Sequence, residues 1–135
     1  MEVDIGRLSS PIESESDYYQ RLAELGHGSF GKVYKVLDVK SKEIIALKII
    51  SKKKTDDRSW DALLNEAKIL ESLDHPNIVK FKHIRQFRSR IYIGMELLEG
   101  GRLDKYIEAR GADLKDFEAA MIMKSIFQAI SYLHL

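Results

Sequence analysis

Three glycines, Gly26, Gly28 and Gly31, precede a lysine, Lys48, that closes the apolar run Ile44-Ile45-Ala46-Leu47. These residue types in this order can hold phosphate. Glycine has no Cβ, so its backbone turns sharply and approaches an anion closely. Backbone N–H groups in such a turn, joined by one lysine, form an anion-binding concavity. Ser29 adds a hydroxyl, and Phe30 sits at the tip of the turn, either folded over a ligand or packed under its own loop. His27 reads as a neutral, variable position within the turn rather than a catalytic group. A Gly-x-Gly-x-x-Gly pattern alone is weak, because two nucleotide-binding architectures share it.

The elements around the glycines separate those architectures. In a dinucleotide fold the glycines open a helix. Here Lys32-Val33-Tyr34-Lys35-Val36 is β-branched and aromatic, which favours a strand. Asp38 to Lys42 is turn-like, and Glu43 to Ile50 is a second β-rich run. With Tyr18 to Leu25 before the glycines, the pattern is strand, glycine turn, strand, turn, strand, which disfavours the dinucleotide reading.

Residues 55–73 read as a helix, with Asp56 or Asp57 as its N-terminal cap. At about 100° per residue, Leu63, Leu64, Ala67, Leu70 and Leu73 form one apolar arc, and Glu66 falls inside it. A carboxylate on a buried face needs a partner, and Lys48 on the neighbouring strand is the available cation. Asp74-His75-Pro76-Asn77 ends the helix, since proline cannot continue it. Residues 78–84 and 91–96 read as two further strands around a polar hairpin turn, 85–90. Glu99-Gly100-Gly101 reads as a flexible linker. After it come a short helix to about Arg110 and a long amphipathic helix from Phe117 to His134. In that last helix Ala119, Ile122, Met123, Ile126, Ala129, Ile130 and Leu133 follow helical spacing and form a face that needs a partner.

The stretch from Leu25 to Lys48 resembles the glycine-rich loop and lysine strand of eukaryotic protein kinases. Gly26, Gly28, Gly31, Val33, Ala46 and Lys48 match the Gly-x-Gly-x-x-Gly-x-Val and Ala-x-Lys patterns position by position. The resemblance implies an α+β, protein-kinase-like fold: a five-stranded antiparallel sheet with one key helix, then the first two helices of an incomplete helical C lobe. It covers residues 19–135 and implies a leader at 1–17 and a kinase domain from 18. Within that domain it places the N lobe at 18–95, a hinge at 96–101 and the start of the C lobe at 102–135. It further implies an ATP site made of Leu25, Gly26, His27, Gly28, Ser29, Phe30, Gly31, Val33, Ala46, Lys48, Met95, Glu96 and Leu98. Val33 and Ala46 would sandwich the adenine, the backbone of Glu96 and Leu98 would bond its edge, and Met95 would close the back of the pocket. Glu66 would pair with Lys48 and orient it toward the phosphates. Leu97-Leu98-Glu99-Gly100-Gly101 looks like serine/threonine kinases of the calcium/calmodulin kind, which often carry glutamate where Arg102 stands. Arg102 puts a ribose contact by that side chain, and the usual preference for basic substrates, in doubt.

Phosphoryl transfer also needs a base for the acceptor hydroxyl and ligands for Mg2+. The kinase pattern supplies them as His-Arg-Asp-x-x-x-x-Asn and Asp-Phe-Gly, and neither occurs in these 135 residues. Mg2+ ligands are therefore expected beyond Leu135, and this chain by itself is expected to be inactive. Two readings follow: the ATP-binding part of a longer serine/threonine kinase acting on protein substrates, or a short non-catalytic nucleotide-binding or partner-binding module. Bulk composition adds exclusions. Lysine plus arginine is 22 against 21 acids, a net charge of +1, which favours neither nucleic acid nor a membrane surface as partner. There is no cysteine, and the four histidines show no metal-ligand spacing. No apolar run approaches the roughly 20 residues of a membrane span, so a cytoplasmic protein is the default expectation. The leader, with Ser9, Ser10, Ser14 and Ser16 among acids, reads as mobile, and Lys52-Lys53-Lys54 as a solvated loop.

Overall fold

The computed structural model describes residues 2–4, 14–27, 31–52, 56–87 and 89–134. Ser9 and Ser10 of the leader, Lys53 and Lys54 of the basic run, and Leu135 lie outside the described residues.

The β-branched runs form the strands their composition favours. In chain order they are β1 (Glu2–Asp4), β2 (Tyr19–His27), β3 (Gly31–Asp38), β4 (Ile44–Ser51), β5 (Phe81–Phe87) and β6 (Arg90–Glu96). The sheet order is β1-β5-β6-β4-β3-β2. Strands β2, β3, β4, β6 and β5 pair antiparallel, as the resemblance implied, and β1 adds in parallel to the edge of β5. The chain is α+β: this sheet with α1 (Asp57–Ser72), then the helices α2 (Leu103–Arg110) and α3 (Asp116–Leu133). It divides into two units, Met1–Leu73 with Lys80–Leu97, and Asp74–Val79 with Leu98–Leu135.

In the first unit both faces of the sheet carry a core. Directly paired residues share a face in an antiparallel sheet, so Ala46, Lys48 and Ile50 of β4 lie with Ile91, Ile93 and Met95 of β6. On this face Trp60 and Ala67 of α1 join Ile50, Phe81, Ile84, Ile91 and Ile93, with Leu63, Leu64 and Leu70 packed around them. Asp56 caps α1, its carboxylate accepting from the Ser59 N–H at 2.7 Å. The helix ends where Leu73 turns extended. The other face buries Tyr19, Val36, Ile45, Leu47, Ile49 and Tyr92.

Three boundaries differ from the sequence reading. The fourth of the expected strands starts at Phe81, not residue 78, and runs through Phe87. A turn from His75 to Ile78 intervenes, and Asn77 donates to the Ser125 carbonyl and Gln128 Oε1 of α3, within the second unit. β5 runs to Phe87 and β6 starts at Arg90, where the sequence reading placed a polar turn over 85–90. The leader, expected to be mobile, contributes β1 and a 3-10 turn at Glu15–Asp17. That turn is held by Asp17 accepting from the Ser14 N–H, and by Glu15, which takes two bonds from Arg21 at 2.6 Å and one from the Tyr92 hydroxyl at 3.1 Å.

In the second unit Arg110 of α2 pairs with Glu118 of α3, which also accepts from the Tyr106 hydroxyl at 2.9 Å. The Asp74 N–H donates to the Tyr132 hydroxyl. Along α3, Met123, Ile126, Ile130 and Leu133 are exposed. Among the described residues no helix is long and apolar enough to cross a membrane.

The outer face of the sheet holds a buried polar group that local pattern did not announce. His83 Nε2 lies 2.5 Å from the Tyr19 hydroxyl, which accepts from Arg85 Nη1 at 2.9 Å. With Arg85 donating, the hydroxyl proton goes to Nε2, so Nδ1 carries the imidazole proton, 3.9 Å from Asp38. A register shift between Phe81 and His83 aims the ring, and Gly94 clears its space: a Cβ there would stand 2.8 Å from ring atoms. Burial, then the Arg85 charge, push His83 down to about 4. Burial pushes the Tyr19 hydroxyl well above its ordinary range. Between pH 6.5 and about 4 the unfolded chain binds a proton at His83 that the folded chain refuses. Stability is therefore lost as pH falls through that window, by about 3 kcal/mol for this group at 1.36 kcal/mol per pKa unit. Urea unfolding at pH 7 and pH 4.5 should show the loss, and His83→Gln should flatten it; an equal slope in the variant would refute the assignment.

Candidate functional site

The glycine turn joins β2 to β3. Gly26 pairs with Val33 and His27 with Lys32, so the two strands reach the turn from either side. Gly28, Ser29 and Phe30 lie outside the described residues. Leu25 is exposed at a register shift between Glu24 and Gly26. Gly31 is required by packing: a Cβ there would stand 2.0 Å from the Ile49 carbonyl oxygen of β4.

Across the sheet, Val33 of β3 pairs with Lys48 of β4, which pairs with Ile93 of β6. Two residues along, Lys35, Ala46 and Met95 form the next row. Val33, Ala46, Lys48 and Met95 thus share one face of the sheet, the face that α1 also covers. Ala46 is buried and the other three are half-buried. The arrangement sets Lys48 between the apolar side chains of Val33 and Ile93, one row from the Gly31–Ile50 pair, with Lys35 as a second cation in the neighbouring row of the same face. At the end of β6, Glu96 exchanges bonds with Lys80: its N–H donates to the Lys80 carbonyl at 2.8 Å, and Oε1 accepts from the Lys80 N–H at 3.0 Å. Its own N–H is therefore engaged, and of its backbone groups the carbonyl is the one a ligand can use. Leu98 is exposed at the start of the second unit.

Lys48 and Glu66 are not brought together. Among ion pairs between described residues none joins them, and Glu66 is exposed on α1. The cause is in the arc. Leu73 lies past the end of the helix, and the missed residue Trp60 is buried within it. The packed arc therefore runs from Leu64 through Trp60 to Leu70, leaving Glu66 about 40° outside its edge at about 100° per residue. In the second unit Arg102 closes on Asp104, with bonds of 3.0 and 2.7 Å.

No group of three His, Asp or Glu side chains among the described residues could hold a metal ion. The polar cluster of Tyr19, Asp38, His83 and Arg85 was missed from the sequence. Tyr19 meets His83 and Arg85 from 64 and 66 positions away, beyond the reach of any periodicity.

A sheet of five antiparallel strands, one helix on the face that carries the strand lysine, and a glycine turn at the sheet's end define a kinase-like N-terminal lobe. The protein kinase domain matches residues 19–135, and the chain belongs to that family. It is 33% identical over 98% of its length to the serine/threonine-protein kinase dkf-2 of Caenorhabditis briggsae, covering 12% of that protein. It is 31% identical over 90% of its length to serine/threonine-protein kinase 1 of Arabidopsis thaliana, covering 14%. Against calcium-dependent protein kinase 5 of Plasmodium berghei the figures are 36%, 82% and 19%. The chain thus spans less than a fifth of the length of these relatives.

Gly31→Ala should destabilise the chain by about 1–3 kcal/mol, the range for overpacking, because backbone and not a movable side chain blocks the new methyl. Urea unfolding would measure it; a change below about 0.5 kcal/mol, the size of an ordinary surface substitution, would mean that β3 and β4 are not this close.

Proposed function

We propose that this chain is the ATP-binding portion of a serine/threonine protein kinase that, in the full-length parent, transfers the γ-phosphate of ATP to protein hydroxyls. The observation that carries this reading is the shared face of Val33, Ala46, Lys48 and Met95 beside the Gly26–Gly31 turn. Val33 and Ala46 flank the adenine, Met95 closes the back, and Lys48 meets the phosphates with its ammonium. Backbone N–H groups of the turn hold the phosphates from the other side. Glu96 offers its backbone carbonyl to the adenine edge. The role of Glu66 as the partner that orients Lys48 rests on the resemblance alone, since Glu66 is exposed on α1. The serine/threonine assignment follows the names of the relatives. When bound, ATP would supply the phosphoryl group and Mg2+ would offset its charge, with the metal ligands and the base expected from residues other than these 135.

This chain should bind a fluorescent ATP analogue weakly, and Lys48→Met should weaken it roughly tenfold, about 1.4 kcal/mol for one charged contact. With Mg2+ and radiolabelled ATP it should transfer no phosphate. Equal binding by Lys48→Met would sink the site; transfer that this variant abolishes would overturn the inactivity.

The alternative, a non-catalytic partner-binding module, has one observation in its favour: the exposed apolar face of α3. Such a face supports association. The chain should therefore bind a hydrophobic dye and sediment above monomer mass, and a dye-negative monomer would remove this support.

A further inference from the structure

The side of the sheet away from Lys48 carries a basic groove. Arg21 of β2, Lys32 and Tyr34 of β3, Ile49 of β4 and Arg90 of β6 line a cleft of about 260 Å³, with no carboxylate in its walls. Three cations gathered in one cleft are a local excess in a chain whose net charge is +1.

One acidic peptide segment already reaches it. Glu15 of the leader grips Arg21 with both carboxylate oxygens, each at 2.6 Å. The Arg21 guanidinium lies over the Tyr34 ring, 4.4 Å from its centroid, which fixes the plane it presents. Burial pushes the Glu15 carboxyl up, yet the bonds and charge of Arg21, the Tyr92 hydroxyl and the more distant Arg90 charge hold it below the usual carboxylate range. This is the planar, two-pronged geometry that arginine uses for carboxylate and phosphate alike. Glu15 leaves charge to spare. The Lys32 ammonium stands 4.0 Å from Glu24, and no ion pair between described residues joins Lys32 or Arg90 to Glu15. Two carboxylates, Glu15 on Arg21 and Glu24 at the far edge of reach of Lys32, are thus matched against three cations, whereas a phosphoserine brings up to two negative charges and three acceptor oxygens.

We propose that this groove is a docking site for a phosphorylated, acidic peptide segment, and that Glu15 of the leader occupies it in cis as a weaker surrogate. The leader's own composition fits the groove: Glu2, Asp4, Glu13, Glu15 and Asp17 stand against Arg7, and Ser14 and Ser16 flank Glu15. Both serines are exposed. Ser14 Oγ lies 3.3 Å from the Asp17 carboxylate it helps to bind, so a phosphate on Ser14 meets Asp17 head on and loosens the turn that presents Glu15. Leaving and rebinding through a phosphate are then two positions of one segment. The site lies on the opposite face from Val33, Ala46 and Lys48, so it stands whether or not those residues hold ATP.

The probe is a fluorescein-labelled hexapeptide with the sequence of residues 13–18, phosphorylated at both serines, and its unphosphorylated twin. Anisotropy is read on the full chain. The phosphopeptide should bind the wild type, bind Glu15→Gln at least tenfold more tightly because the cis occupant is gone, and weaken as salt is raised. The double variant Lys32→Gln/Arg90→Gln, both at exposed positions, should lose at least tenfold in the Glu15→Gln background, with circular dichroism confirming its fold. Should that pair unfold, Lys32→Gln alone should still cost threefold or more. Equal binding of the two peptides, indifference to Glu15→Gln, or indifference to the lysine and arginine changes would each overturn the proposal. Tighter binding of a single-stranded oligonucleotide of equal charge would reassign the groove to nucleic acid and overturn it as well.

Discussion

A strand buried on both faces that carries one charge is the constraint on which the rest of this chain turns. Strand β4 lies in the middle of the sheet, with Ile45, Leu47 and Ile49 on one face and Ala46, Lys48 and Ile50 on the other. Apolar neighbours are needed on both sides to bury those isoleucines, and an ammonium in that setting is tolerated only if it keeps access to water or an anion. Lys48 is half-buried, between the helix-covered Ile50 and the Ala46–Met95 row. Gly31 lets β3 approach Ile49 and Ile50 of β4 closely, and α1 covers Ile50 on the same face.

Much of this was legible in the residues. The strands flanking the glycines and a cap at Asp56 or Asp57 follow from β-branched runs and turn residues; the register that puts Val33 beside Lys48 comes from the strand pairing. What failed did so for non-local reasons. Ile78-Val79 has strand composition, yet Asn77 ties the preceding turn to α3, and β5 begins later. Including Leu73 and omitting Trp60 rotated the apparent apolar arc of α1, and that rotation alone carried Glu66 to the buried side. The site residues at 28–30 had the strongest motif in the sequence and lie outside the described structure.

The two faces of the sheet divide the electrostatics. On one, Lys35 and Lys48 stand among aliphatic and thioether side chains. On the other, aromatic rings carry the charges: Arg21 over Tyr34, Lys40 and Arg85 over Tyr18, and Arg85 again over Tyr19. Rings that accept cations on their faces let arginine and lysine lie flat on a β-sheet without a carboxylate beside each one. A sheet built this way presents positive charge outward while keeping its strands paired and its aromatic core dry.

Gly94 ties the two faces together. It sits in β6 immediately before Met95, and the space its missing side chain leaves is filled from the outer face by the His83 ring. Neither position can drift alone. A larger residue at 94 strikes the imidazole, while a smaller residue at 83 leaves a void beside a bare backbone. Sequences descended from this one should therefore change 83 and 94 as a correlated pair or not at all. An exchange at the strand that ends in Met95 then carries a historical debt recorded on the opposite side of the sheet.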